Sequence, residues 1–362
     1  MPEDFLSRVR RGEPVLLAEG YLFEIERRGH LQAGTFCPAP VIINHPEIVE
    51  QTHYDFHRAG TDIQEAFTFY ASPTKMRLAG VSAADYEDVN RKALRIAKKV
   101  ALDTDSLMAA DICLTTEFDP QDPKSKERVY DVFKHQVLCA VGEHADLIVA
   151  ETFPMYEEAE LALKAIKEYG NGLPSIVAHA VDANPASPDL TMDGVDIVES
   201  LRRHHEAGAS VVGLNCHMGP EKMTRRLKKI REQLPDVPLC ALPVAYDNQE
   251  EEMGMFGLVN PKTGKKVFFD DLDCRLVAQS EFQTFAEECQ KLNIAVPGIC
   301  CGNTPRYFRR LAMAYGRNPP GAEFASDMGR HALLGQSKEL PQVQLVKDTR
   351  AAAHWDQHAA KA

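Results

Sequence analysis

The residues best suited to chemistry are three of the nine cysteines. Cys216 directly follows Val211-Val212-Gly213-Leu214-Asn215, and Cys300 and Cys301 directly follow Ala295-Val296-Pro297-Gly298-Ile299. Each apolar run reads as a short buried strand, so all three thiols stand at strand ends. Three convergent thiolates suit a soft divalent cation such as zinc. Zinc takes Cys sulfur at about 2.3 Å, and a three-ligand site keeps a fourth position for substrate. A strand-end cysteine can also simply fill space, because the free thiol is among the most buried side chains. The glycines of Gly298-Ile299-Cys300-Cys301-Gly302 favour convergence, since they let the backbone turn until neighbouring side chains face one centre. Chemistry alone leaves both readings open.

These thiols need a scaffold that brings separate strand ends together. Apolar runs recur at 15–17, 62–69, 107–114, 147–150, 175–180, 210–214, 239–243 and 295–299. Stretches of helical period lie between them at 46–59, 85–102, 123–144, 156–169, 193–207, 219–234, 276–292 and 304–316. Strict alternation implies parallel strands with crossover helices, and eight units fit a closed (β/α)8 TIM barrel better than an open doubly wound sheet. In such a barrel the C-terminal strand ends converge on one mouth. Residues 1–320 are expected to form the barrel. Residues 321–362 are expected to form a C-terminal extension, either an oligomerisation arm of a homo-oligomer or a frayed end. The segment 246–275 follows the seventh strand and is expected at the mouth, as a lid or as a passive surface loop.

The length, 362 residues, accommodates a barrel of about 250 residues with insertions. Composition is ordinary for a globular protein, with 44% hydrophobic and 26% charged residues, which excludes wholesale disorder. The net charge of −12 argues against a dedicated nucleic-acid binder, which needs a basic face. No run approaches the ~18 apolar residues of a membrane span. The start, Met1-Pro2-Glu3-Asp4-Phe5, lacks the pattern of an export signal. A cytoplasmic protein with reduced thiols is therefore expected. No Gly-x-Gly-x-x-Gly or P-loop pattern implies a nucleotide. His53 and His57, spaced i, i+4, read as a surface pair, and His204-His205 as a solvated cation pair near a helix end.

Two signatures then carry a resemblance. Gly213-Leu214-Asn215-Cys216-His217 and Gly298-Ile299-Cys300-Cys301-Gly302 resemble the zinc-binding signatures of the homocysteine S-methyltransferase family. Further segments are similar to its betaine–homocysteine S-methyltransferase subgroup: Phe23 to Gly29, Phe67-Thr68-Phe69-Tyr70-Ala71-Ser72, Leu147-Ile148-Val149-Ala150-Glu151, Pro243-Val244-Ala245-Tyr246 and Ser326-Asp327-Met328. The resemblance implies a (β/α)8 barrel in which Cys216, Cys300 and Cys301 bind zinc and the homocysteine sulfur takes the open position. It implies that Glu151 holds the substrate amino group and that Tyr70 and Phe36 face an onium methyl donor. Glu19, Gly20 and Asn215 complete the implied substrate set. The implied reaction moves a methyl group to homocysteine and forms methionine. Rival readings are a corrinoid- or folate-linked methyltransferase and a non-catalytic zinc barrel that binds a thiol or onium ligand. This sequence also departs from the family. Ala18-Glu19-Gly20 replaces its Asp-Gly-Gly or Asp-Gly-Ala motif, Phe36 stands for the subgroup's tryptophan, and Thr152 for the tyrosine after the strand-four glutamate.

Overall fold

The apolar runs become strands because both of their faces are covered. The computed structural model describes residues 3–181, 187–248, 252–268, 271–327 and 329. In it the strands β1 (Leu17–Ala18), β2 (Ile63–Glu65), β3 (Leu107–Cys113), β4 (Leu147–Phe153), β5 (Ser175–His179), β6 (Val211–Asn215), β7 (Leu239–Leu242) and β8 (Val296–Ile299) form a closed parallel barrel in sequence order. Every strand residue is buried, as a sheet filled inside and wrapped by helices outside requires. Closure falls on β1, which pairs Leu17 with Ile63 of β2 on one side and with Gly298 of β8 on the other.

The wrapping helices are α1 (Pro46–Ala59), α2 (Tyr86–Thr104), α3 (Pro123–Gly142), α4 (Tyr156–Tyr169), α5 (Ile197–Glu206), α6 (Pro220–Gln233), α7 (Gln279–Lys291) and α8 (Pro305–Ala314). Proline opens α1, α3, α6 and α8, where its missing N–H costs no helical bond. Asp122 caps α3 by accepting from the Lys124 amide at 2.9 Å, and Thr304 caps α8 by accepting from the Tyr307 amide at 3.3 Å. The outer ring closes where Phe56 of α1 meets Phe308 of α8 edge to face, with centroids 6.3 Å apart.

The differences from expectation have local causes. Expected to run to residue 69, β2 ends at Glu65 because Thr68 folds back. The Thr68 amide donates to the Ala66 carbonyl at 2.7 Å and its hydroxyl to the Asp111 carbonyl at 2.7 Å. The α5 helix starts at Ile197, not 193, because Asp193 is engaged elsewhere. Its carboxylate accepts from the Tyr156 and Glu157 amides at 2.8 and 2.9 Å and so anchors the start of α4. Short helices at Phe5–Arg10, Tyr21–Arg27, Ala39–Asn44 and Pro73–Leu78 lie outside the expected alternation.

Both histidine pairs need correction. His53 is fully buried, edge-on to Tyr21 with centroids 5.1 Å apart, so it is not on the surface. His204 is also buried, with its Nε2 3.1 Å from that of His179. Burial lowers the His204 pKa to about 3, so it is neutral rather than a solvated cation.

The segment 246–275 is pinned by Arg275. Its guanidinium bonds Glu252 at 2.8 Å and the carbonyls of Asp247 and Val259 at 2.8 and 3.0 Å. The chain divides into two units, Met1–Pro320 and Gly321–Ala362. In the second, residues 321–327 and 329 are described, with the short turn Ala322–Phe324, and the remainder of the expected C-terminal extension lies outside the described residues.

Candidate metal centre and substrate cavity

β6 ends at Asn215, and the next two residues, Cys216 and His217, take left-handed backbone angles with φ of 57° and 55°. The Cys216 amide donates to the Leu242 carbonyl at 2.9 Å, which fixes the turn. After β8 the Cys300 amide donates to the Pro243 carbonyl at 2.8 Å, and the chain turns at Gly302 with φ of 79°. A Cβ at Gly302 would lie 2.7 Å from the Tyr246 ring, so no other residue fits there without movement. These two turns bring the three thiols together. The Sγ of Cys301 lies 3.5 Å from that of Cys216 and 3.8 Å from that of Cys300. A tetrahedral ion with 2.3 Å bonds to sulfur spaces its ligands about 3.8 Å apart, so the trio fits such an ion.

Its electrostatics fit as well. Hydrogen bonds from Cys300 and Cys301 hold the Cys216 thiol well below the usual range. Burial and the Cys216 partner push Cys300 up, and the Cys216 partner first of all pushes Cys301 up. Three thiolates this close would repel one another, and a cation between them would relieve that repulsion.

Beside the thiols lies a hydrogen-bonded acid cluster. Its hub is Asn215, whose Nδ2 donates to Glu151 Oε2 at 2.5 Å, to Thr152 Oγ1 at 2.8 Å and to Glu19 Oε2 at 3.2 Å. The Thr152 hydroxyl donates to the same Glu151 Oε2 at 2.9 Å. Burial raises the Glu151 pKa to about 7. Glu65 at the end of β2 and Asp111 within β3 stand next to Glu151, and one carboxylate oxygen from each of the three lies within 4.8 Å of the others. Burial, then mutual repulsion, raises Glu19, Glu65 and Asp111 well above the carboxylate range. Glu65 Oε1, Asp111 Oδ1 and Glu19 Oε1 are buried without a hydrogen-bond partner.

Thiols and acids share the floor of a cavity of about 330 Å³. Its walls are apolar: Phe36, Phe67 and Tyr70 from the barrel side, and Met253, Phe256 and Phe268 from the segment 246–275. Phe268 stacks on Phe36 with centroids 6.2 Å apart and meets Phe256 at 4.5 Å. Tyr70 sits at φ of 61°, and the Lys75 ammonium already lies 4.2 Å from its ring centroid. Among the described residues that line the cavity there is no lysine or arginine.

The structure therefore gathers all nine sequence-selected residues. Cys216, Cys300, Cys301, Glu151, Tyr70, Phe36 and Gly20 line the cavity, and Glu19 and Asn215 reach it through hydrogen bonds. Sequence reasoning missed Glu65, Asp111, Tyr21 and His217, which also line it. Asp111 left a signal, an acid inside the otherwise apolar run 107–114, whereas Glu65 is masked by Asp62, Gln64 and Thr68 in its own run. The segment 246–275, expected at the mouth, contributes wall residues there.

A closed (β/α)8 barrel with a three-thiol centre at its mouth defines the class of protein. The homocysteine S-methyltransferase family profile matches residues 17–315, and the chain belongs to that family of methyltransferases. It is 30% identical to betaine–homocysteine S-methyltransferase 1 of Xenopus tropicalis, over 97% of this chain and 84% of that one. It is 29% identical to the S-methylmethionine–homocysteine S-methyltransferase of Pongo abelii, over 97% and 91%. The metallated homocysteine methyltransferase MmuM of Escherichia coli superposes with a TM-score of 0.65 at 18% identity, over 83% of this chain and 96% of that one, and shares the fold.

The acid cluster makes stability pH-dependent. A carboxyl whose folded pKa exceeds its unfolded value destabilises the fold increasingly as pH rises from about 4.5 through the folded pKa. For Glu151 that window closes at about 7. Glu65→Gln removes one of these charges, so it should raise the melting temperature at pH 8 by about 2–4 °C, and by less at pH 5. Calorimetry at the two pH values checks this. An equal effect at both would mean that the cluster carries no unbalanced charge.

Proposed function

We propose that the chain transfers a methyl group from an onium donor to the sulfur of homocysteine, forming methionine, and that Cys216, Cys300 and Cys301 hold a zinc ion. The observation that carries the reading is the thiol spacing, 3.5 and 3.8 Å, inside a cavity that also holds Glu151. Zinc bound there supplies a Lewis acid that lets an incoming thiol lose its proton at neutral pH.

The chain's own residues do the rest. Asn215 and Thr152 both bond Oε2 of Glu151, which fixes the carboxylate and leaves Oε1 for the acceptor's ammonium. Phe36, Phe256 and Phe268 present ring faces and edges to the donor, and a cation over such a face gains about 0.5–2 kcal/mol. The apolar walls exclude water. That favours a step in which a sulfur lone pair forms the new S–C bond while the donor heteroatom keeps the electrons of the old one and leaves without its charge. Relatives are named for two different onium donors, betaine and S-methylmethionine. Here Thr152 offers no ring, Phe36 offers a weaker face than tryptophan, and Lys75 shares the Tyr70 ring. Glycine betaine is therefore a weak donor for this chain.

Metal analysis tests the centre first. Cys216→Ala and Cys301→Ala should each lose most of one zinc per chain while circular dichroism shows the fold intact. Stoichiometric zinc in both variants would sink the assignment.

Glu151→Gln should weaken homocysteine binding about 10–150-fold, the value of one charge-assisted hydrogen bond, and should leave zinc content unchanged. Loss of zinc with homocysteine affinity unaltered would move Glu151 to the metal.

A donor panel of glycine betaine, dimethylsulfoniopropionate and S-methylmethionine, assayed without corrinoid or folate, tests the cavity wall. Phe36→Trp should improve betaine affinity about 2–30-fold, the worth of a stronger face, and Tyr70→Leu should impair every onium donor. Strong betaine turnover indifferent to both changes would place the donor elsewhere.

A further inference from the structure

Glu19 occupies the segment where the family carries its strand-one aspartate, yet Glu19 does not line the cavity. Its Oε2 accepts from Asn215 at 3.2 Å, and its Oε1 is buried without a partner. The acids that do face the cavity with Glu151 are Glu65 and Asp111, which hydrogen-bonded strands place side by side. Glu65 pairs with Ala109 across β2 and β3, and Asp111 pairs with Val149 across β3 and β4. Each has a fully buried oxygen that no protein donor reaches. The Tyr21 hydroxyl gives an independent sign of a missing ligand. It is fully buried beside Glu65 at the same cavity wall and also lacks a partner. Leaving polar atoms this deep unsatisfied is costly unless a ligand supplies the partners.

We propose that Glu65, Asp111 and Glu151 form a three-carboxylate socket for the primary ammonium group of the thiol acceptor. This rests on the reading that the thiol centre takes an acceptor sulfur. The three N–H bonds of an ammonium diverge tetrahedrally, so acceptors at about 2.8 Å from nitrogen stand about 4.6 Å apart. The carboxylate oxygens here lie within 4.8 Å of one another. Glu151 links the two halves, because its carboxylate also lies within 4.8 Å of the Cys300 sulfur. Sulfur and nitrogen of one small aminothiol thus reach thiol centre and socket together. A quaternary ammonium has no N–H to offer, so the socket separates acceptor from donor.

The test uses the zinc-loaded full chain and two simple probes, 3-aminopropane-1-thiol and propane-1-thiol, titrated calorimetrically. The unaltered chain should bind the aminothiol at least about 10-fold more tightly. Glu65→Gln and Asp111→Asn should each erase most of that preference while leaving propane-1-thiol affinity unchanged and melting temperature at or above the parent's. Four results would overturn the socket: equal affinity of the parent for both probes, equal weakening of both probes in the variants, a melting temperature several degrees below the parent's in both variants, or stoichiometric magnesium or calcium binding that Glu65→Gln abolishes. Methylation of homocysteine is scored separately. If homocysteine is not methylated while the amine preference and its loss persist, the socket stands and the homocysteine reading fails.

Discussion

Negative charge without a built-in counterion governs this molecule. Three thiols and four buried carboxyls meet at one end of the barrel, and among the described residues that line the cavity there is no lysine or arginine. Isolated, such groups stay protonated or repel one another. The barrel tolerates them because its strands and helices bury apolar surface throughout, and the penalty falls only at the strand ends. In the proposed function, cations complete this site: a soft metal would satisfy the thiols and an ammonium the acids.

The backbone at the mouth is strained in a matching way. Tyr70, Thr116, Thr152, Cys216 and His217 all have φ between 55° and 62°, at or just past the ends of β2, β3, β4 and β6. A left-handed angle costs a non-glycine residue on the order of 1–2 kcal/mol, so a cluster of them marks turns kept for where they aim side chains. At Cys216 the turn brings sulfur to sulfur. At Thr152 it accompanies a paired contact, in which the Thr152 amide donates to Asn215 Oδ1 at 2.9 Å and the Asn215 amide returns a bond to the Thr152 hydroxyl at 2.8 Å. Glu151 is held between them, so the orientation of the acid is set by the residues on either side of it in space.

Much of this was legible in the sequence, for identifiable reasons. The helices with proline at the first turn, α1, α3, α6 and α8, begin within a residue of where the pattern places them, because that proline is a positional signal. The strand ends were less readable. The run 62–69 alternates well enough for a strand, but its last residues are taken by the Thr68 turn, whose partner is a carbonyl on β3 that sequence order does not reveal. His204 looked solvated because it sits in the last turn of α5, and only the packing of α5 on β5 shows that it faces His179. Glu65 and Asp111 stand inside strand runs and carry no role in the sequence reading. Their meaning depends on register across β2, β3 and β4, which is a property of the sheet.

The segment 246–275 completes the logic of the cavity. It leaves β7, is tied down by Arg275 through Glu252 and two carbonyls, and sets Met253, Met255, Phe256 and Phe268 over the acidic floor. Those side chains can offer dispersion, polarizable sulfur and ring faces, but no charge. A wall of that kind suits a methylated cation and offers nothing to an N–H group, whereas the floor beneath offers carboxylate oxygens, so the two sides of the cavity differ in the kind of cation each can recognise.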